Sequence, residues 1–142
     1  MRAGHDIADR GHGPRAFACY SPADPARVWS ALTDPIQTTA FLYGLAVHSS
    51  WEPGAAIEVC YEARPTLSGR VLCSRTGERL SYMLRAGADD PPVYLTWLIR
   101  TRPDGCTIRL EIDEIDHVDD ADQAEDTWLP VLAALQEHLA PA

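Results

Sequence analysis

The sequence contains no lysine, and all twelve of its basic residues are arginines. The chain therefore has no side-chain amine for a Schiff base and no P-loop lysine. Acidic residues outnumber basic ones by 21 to 12, which gives a formal net charge of -9 at pH 7. Because this charge repels phosphate backbones, no nucleic-acid partner is expected.

Long hydrophobic runs are also missing, since none approaches the roughly 20 residues that cross a bilayer. No membrane span is therefore predicted. The first fourteen residues lack the apolar stretch of a secretory signal, which predicts a cytoplasmic protein. Residues 1–14 include four glycine or proline residues and no periodic apolar pattern. We expect them to form a flexible N-terminal arm ahead of a single domain, residues 15–142.

Motifs for metal binding, cofactor binding and nucleophilic catalysis are absent as well. The sequence has no C-x-x-C pair, no zinc-finger spacing, no dinucleotide fingerprint, no G-x-S-x-G and no H-E-x-x-H. We therefore expect no metal site and no cofactor. The cysteines are expected to be reduced thiols that pack as small hydrophobes; they are Cys19, Cys60, Cys73 and Cys106.

The N-terminal third predicts a short strand followed by two short helices. Residues 16–20 form the strand. Asp24-Pro25 and Asp34-Pro35 each combine a helix-capping residue with a proline at the first helical position. The second helix is expected to end before Gly44.

The middle of the chain alternates between apolar and polar residues, which is typical of half-buried strands. The inward sets are Ile57, Val59 and Tyr61; Leu80, Tyr82 and Leu84; and Ile108, Leu110 and Ile112. Turn residues separate these runs at Arg64-Pro65, Thr76-Gly77, Asp89-Asp90-Pro91-Pro92 and Pro103-Asp104-Gly105. A further strand at 45–50 brings the total to about seven. The connections are too short for crossover helices, so the sheet is predicted to be antiparallel.

A long C-terminal helix is predicted from apolar residues at helical spacing between Trp128 and Leu139. Pro130 lies inside this pattern and predicts a kink or a restart of the helix. Acidic residues crowd the preceding segment, 113–126, which is expected to be a solvated loop and a helix N-terminus. Calcium or magnesium binding is the alternative, although the spacing matches no known loop.

This order of elements resembles the helix-grip superfamily related to START domains, also called SRPBCC. Segment 22–35 is similar to the opening of its branch of homologues of the activator of heat-shock-protein ATPase (AHSA1-like). Further similar segments are Trp51-Glu52-Pro53-Gly54, Gly69-Arg70-Val71-Leu72, Arg79-Leu80-Ser81-Tyr82 and Leu95-Thr96-Trp97, with Trp128, Leu132 and Leu135. The resemblance implies an α+β fold in which a curved antiparallel sheet of about seven strands wraps around a long C-terminal helix.

The resemblance also implies an internal apolar pocket, because one helix cannot cover the whole concave face of the sheet. The candidate ligand-binding residues are Phe41, Tyr61, Tyr82, Trp97, Leu110, Trp128 and Leu132. The alternative for each is an ordinary core position. Tyr61 and Tyr82 are the best candidates to orient a ligand through a polar group, and Trp128 lies beside Pro130, where a bent helix would open the pocket.

We expect a non-catalytic carrier or sensor of a small hydrophobic molecule, because no reactive set is identifiable. The residues able to move protons are His48, His117, His138, Glu58, Glu62 and Asp113. Lipid and sterol carriers, polyketide cyclases and chaperone co-factors all occur in the superfamily. The alternatives are therefore a cyclase-like or hydrolytic enzyme using the same cavity, and an interaction module that contacts a chaperone or forms a homodimer.

Overall fold

A computed structural model of the chain describes residues 15–114 and 121–141. The predicted arm and residues 115–120 of the acidic segment, which include His117, lie outside these residues. The elements follow in the order β1 (Arg15–Ser21), α1 (Pro25–Thr33), α2 (Pro35–Phe41), β2 (Leu45–His48), β3 (Ala56–Tyr61), β4 (Arg64–Arg75), β5 (Arg79–Arg85), β6 (Val93–Arg102), β7 (Gly105–Glu114) and α3 (Ala121–Leu139).

The seven described strands form one antiparallel sheet in the order β1-β7-β6-β5-β4-β3-β2. From β2 to β7, each strand therefore pairs with the next one along the chain, and β1 pairs with β7. The sheet is curved into a half-barrel. Helix α3 packs against β1, α1 and α2, while α2 packs against β2 at the other edge. The helices thus connect the two edges of the sheet, and the predicted helix-grip fold is confirmed.

Both short helices begin as the sequence predicts. The Asp24 side chain accepts a hydrogen bond from the Arg27 backbone N–H at 2.9 Å, and Pro25 occupies the first turn. Asp34 accepts in the same way from the Ile36 N–H at 2.9 Å. These bonds satisfy backbone donors that have no partner inside the helix.

The core lies between the concave face of the sheet and the helices. The alternation predicted for the strands places every second residue there, and α3 contributes residues at helical spacing. Fully buried members include Val28, Leu80, Leu95, Trp97, Ile108, Leu110, Val131 and Leu135.

Helix α3 runs without interruption through Pro130, so the predicted restart of the helix is wrong. The alternative, a kink at Pro130, stays a prediction. The described buried side chains of this helix begin at Val131 and continue at helical spacing with Leu132, Leu135 and Leu139. None of the helices in the described ranges is both long and apolar enough to cross a bilayer.

The turn predicted at Arg64-Pro65 is also wrong, because both residues belong to β4. The chain reverses one step earlier, where Glu62 and Ala63 have φ angles of 51° and 68°. Pro65 is accommodated because the β3–β4 register shifts beside it, between Val59 and Cys60. Strand starts and bulges are where a sheet tolerates proline.

This two-residue turn provides a test of local strain. Residues other than glycine, asparagine and aspartate rarely adopt positive φ, and hairpins of this type favour Asn-Gly. The double substitution Glu62→Asn and Ala63→Gly is expected to raise the free energy of unfolding by about 1 kcal/mol in urea denaturation. Glu62→Gln is the matched control and should leave the free energy of unfolding unchanged. If the double variant were no more stable than wild type, the positive φ angles of Glu62 and Ala63 would not strain the backbone.

Candidate ligand-binding site

Aromatic side chains from four parts of the chain meet on the concave side of the sheet. Phe41 at the end of α2 contacts Trp97 of β6 edge to face, with ring centroids 6.2 Å apart. Trp51, from the loop after β2, lies against Tyr82 of β5 with centroids 5.7 Å apart. Trp97 and Tyr82 are 1 % and 2 % exposed. We call Phe41, Trp51, Tyr82 and Trp97 the aromatic cluster.

The sheet register explains why Trp97 and Tyr82 meet. Leu80 is the direct partner of Trp97, and Leu95 is the direct partner of Tyr82. Tyr82 and Trp97 are therefore diagonal neighbours on the same face, a separation that long aromatic side chains can span. The Trp97 indole Nε1–H donates a hydrogen bond of 3.1 Å to the Tyr82 hydroxyl oxygen.

The Tyr82 hydroxyl keeps an unused hydrogen-bond donor inside the core. Its oxygen accepts from Trp97, but no acceptor for its own proton occurs in residues 15–114 or 121–141. Burial raises the pKa of Tyr82 to about 12, so the proton stays on the oxygen at neutral pH. A buried donor without a partner is costly, and a bound ligand or water that accepts its hydrogen bond removes that cost.

The predicted binding residues fall into two groups. Five are buried in the core at 3 % exposure or less, and Trp128 is half-buried against them. The five are Phe41, Tyr82, Trp97, Leu110 and Leu132. Tyr61 is 47 % exposed at the tip of the β3–β4 hairpin, so the expectation that it is buried with Ile57 and Val59 is wrong. Tyr61 is the last residue of β3, directly before the turn at Glu62 and Ala63.

The first half of α3 is less completely packed than the second. Trp128 is half-buried and Leu129 is 48 % exposed, whereas Val131 and Leu132 are buried. The Tyr43 hydroxyl donates a hydrogen bond to the Thr127 carbonyl oxygen. This bond ties the α2–β2 turn to α3 beside Trp128.

Sequence reasoning missed three residues on the inner side of the sheet. Trp51 lies in the loop after β2, but its Nε1–H donates to the Thr33 carbonyl oxygen at 2.9 Å and its ring lies against Tyr82. Arg15 and Glu114 are half-buried and share the inward register of Phe17 and Ile112. Arg15 lies two residues before Phe17, and Glu114 lies two residues after Ile112. Continuing the alternation by two residues in each strand would have identified both charged positions.

The groups able to move protons do not assemble into a reactive set within the described ranges. The His138 Nε2 atom pairs with the Gln37 amide oxygen at 2.9 Å, and its ring lies 6.4 Å from that of Phe41. His48 is exposed opposite Glu58. Burial raises the pKa of Cys19 to about 11, so this thiol is protonated and a weak nucleophile.

Comparison with known proteins identifies the family. The model of the family described as "Activator of Hsp90 ATPase homolog 1-like protein" matches residues 22–140. None of the curated proteins matches the chain. Protein MLL2253 from Mesorhizobium loti is similar in structure, with a TM-score of 0.73 and 19 % identity over 89 % of this chain and 96 % of that one.

Two further solved structures share the fold. The Aha1 dimer from Colwellia psychrerythraea has a TM-score of 0.70 and 13 % identity, over 89 % of this chain and 95 % of that one. DynU16, from the dynemicin biosynthetic locus, has a TM-score of 0.73 and 18 % identity, over 89 % of this chain and 47 % of that one. With the family model matching most of its length, the chain belongs to the AHSA1-like family within the helix-grip superfamily.

Proposed function

We propose that this protein binds a small hydrophobic molecule between the concave face of the sheet and α3, as a non-catalytic carrier or sensor. The observation that carries the proposal is the buried Tyr82 hydroxyl, which has an unused donor within an otherwise apolar aromatic cluster. The ligand would therefore carry a hydrogen-bond acceptor, such as a carbonyl oxygen, on an apolar body. Sites for small ligands commonly combine apolar walls with a few such polar groups.

The packing of α3 supports an entrance beside Trp128. Trp128 and Leu129 keep apolar surface accessible on the first half of the helix, while the second half is packed into the core. A ligand entering between Trp128 and the sheet would approach the aromatic cluster from that side. The Tyr43–Thr127 hydrogen bond borders this route.

A matched pair of probes tests the proposal directly. 2-Acetonaphthalene and 2-ethylnaphthalene have similar shapes, but only the ketone accepts a hydrogen bond. We expect wild type to bind the ketone about fivefold more tightly, as one net hydrogen bond allows. Tyr82→Phe should abolish this preference without weakening binding of the hydrocarbon. Binding would be measured through quenching of tryptophan fluorescence.

Tyr94→Phe is the matched control, because Tyr94 precedes the inward residue Leu95 and belongs to the opposite face of β6. This variant should keep the fivefold preference. The proposal would be overturned if neither probe bound, or if Tyr82→Phe retained the preference for the ketone. If the proposal holds, native mass spectrometry of the protein purified from its own host would identify the natural ligand as a co-purified mass.

An enzyme acting in the same interior is the second candidate. Arg15 and Glu114 favour it, since they place two ionisable side chains at half-buried, inward-facing positions. The origin of DynU16 in a biosynthetic locus points in the same direction. If the co-purified molecule changed mass on incubation with wild type but not with Glu114→Gln, the protein would be an enzyme; an unchanged mass with both would favour the carrier.

A further inference from the structure

A groove rich in arginine lies on the outer face of the sheet, opposite the proposed binding site. Its volume is about 660 Å³. Five of the twelve arginines in a chain of net charge -9 line it. They are Arg75, Arg79, Arg100, Arg102 and Arg109. We call this the arginine groove.

The register of four strands brings these side chains together. Arg75 of β4 is the direct partner of Arg79 of β5. Leu98 of β6 is the direct partner of both Arg79 and Arg109 of β7, so these residues form one row across the sheet. Arg100 follows Leu98 by two residues and belongs to the same face. The row extends over three strand spacings, which amounts to about 14 Å.

Neighbouring carboxylates neutralise only part of the positive charge of the groove, and one of them, Glu78, also lines it. Glu78 pairs with Arg75 at 3.3 Å, and Glu111 pairs with Arg109 at 3.0 Å. Arg79 and Arg100 have no side-chain hydrogen bond or ion pair in the ranges that the structure describes. Like charges placed directly opposite each other across two strands, as Arg75 and Arg79 are, destabilise a sheet. An external anion would offset that repulsion.

We propose that the arginine groove binds a small molecule carrying at least two phosphate or carboxylate groups. Guanidinium groups bind both anions through paired hydrogen bonds, and the groove volume is typical of small-ligand sites. More than one anionic group is needed because the arginines are spread along the row. A nucleic acid is disfavoured, since none of the described residues that line the groove is aromatic and could stack on a base, and the overall charge is -9.

Calorimetric titration with tripolyphosphate tests this site, with inorganic phosphate as the single-anion probe. Wild type should bind tripolyphosphate saturably and at least about tenfold more tightly than inorganic phosphate. The double variant Arg79→Gln/Arg100→Gln should lose at least about tenfold in affinity for tripolyphosphate. Arg64→Gln/Arg85→Gln is the matched control, because it changes the net charge equally outside the groove. It should weaken binding by less than about twofold.

Three results would overturn the proposal. They are the absence of saturable binding, equal weakening in both double variants, and tighter binding of a poly-glutamate peptide than of tripolyphosphate at equal charge concentration. The last result would assign the groove to an acidic protein partner instead.

Thermal unfolding provides the second readout, since removing Arg79 relieves its repulsion with Arg75. The groove variant should therefore unfold no earlier than wild type.

Discussion

Replacing Trp97 with alanine is expected to lower the free energy of unfolding by about 4 kcal/mol. Trp97 is the largest of the fully buried side chains in the described core. Its removal would leave a cavity, remove the edge contact with Phe41, and deprive the Tyr82 hydroxyl of its hydrogen-bond donor. Equilibrium denaturation in urea, followed by far-UV circular dichroism, would measure the loss.

Trp128→Ala is the matched control for this prediction. The same atoms are removed, but Trp128 is half-buried at the edge of the core. We expect a loss of about 1–2 kcal/mol, in proportion to the apolar area that Trp128 buries. Equal losses in the two variants would show that Trp97 does not occupy the centre of the core.

Gly69→Ala is expected to cost roughly 3 kcal/mol through a clash with the backbone of the neighbouring strand. A Cβ atom at position 69 would lie 1.7 Å from the Met83 carbonyl oxygen and 2.8 Å from its carbonyl carbon. Strands β4 and β5 would have to separate to admit it, and that movement would break hydrogen bonds of the sheet. The shift in the urea midpoint would measure the effect.

The contrasting substitution is Gly87→Ala in the loop after β5. A Cβ atom there would meet only the Asp90 side chain, whose Oδ2 atom lies 2.9 Å away and can rotate aside. Gly87→Ala is therefore expected to change the free energy of unfolding by less than about 0.5 kcal/mol. If Gly69→Ala were equally harmless, β4 and β5 could not approach each other as closely as the structure has them.

Local chemistry determined the elements that the sequence predicted correctly. Asp24 and Asp34 each precede a proline, and this pairing specifies a helix start without reference to the rest of the chain. The alternation around Leu110 has a period of two, so it identified both a strand and its buried face. These signals operate within a few residues, which is why one sequence was enough to read them.

Cross-strand register decided the features that the sequence did not predict. The β4–β5 pairing shifts between Val71 and Cys73, and Leu72 is left 51 % exposed despite its apolar side chain. The β3–β4 pairing shifts between Val59 and Cys60, next to the hairpin where Tyr61 is exposed. A one-residue shift reverses which face a side chain occupies, and apolar spacing along one strand does not encode where such shifts occur.

The sequence by itself determined the helix starts, most of the strands and the candidate residues that form the core. Only the tertiary structure placed the Trp97 indole on the Tyr82 hydroxyl and left that hydroxyl with a donor to spare. Only the tertiary structure gathered five arginines from four strands into one groove. Both arrangements join residues far apart in the chain, and their relative positions depend on how neighbouring strands align.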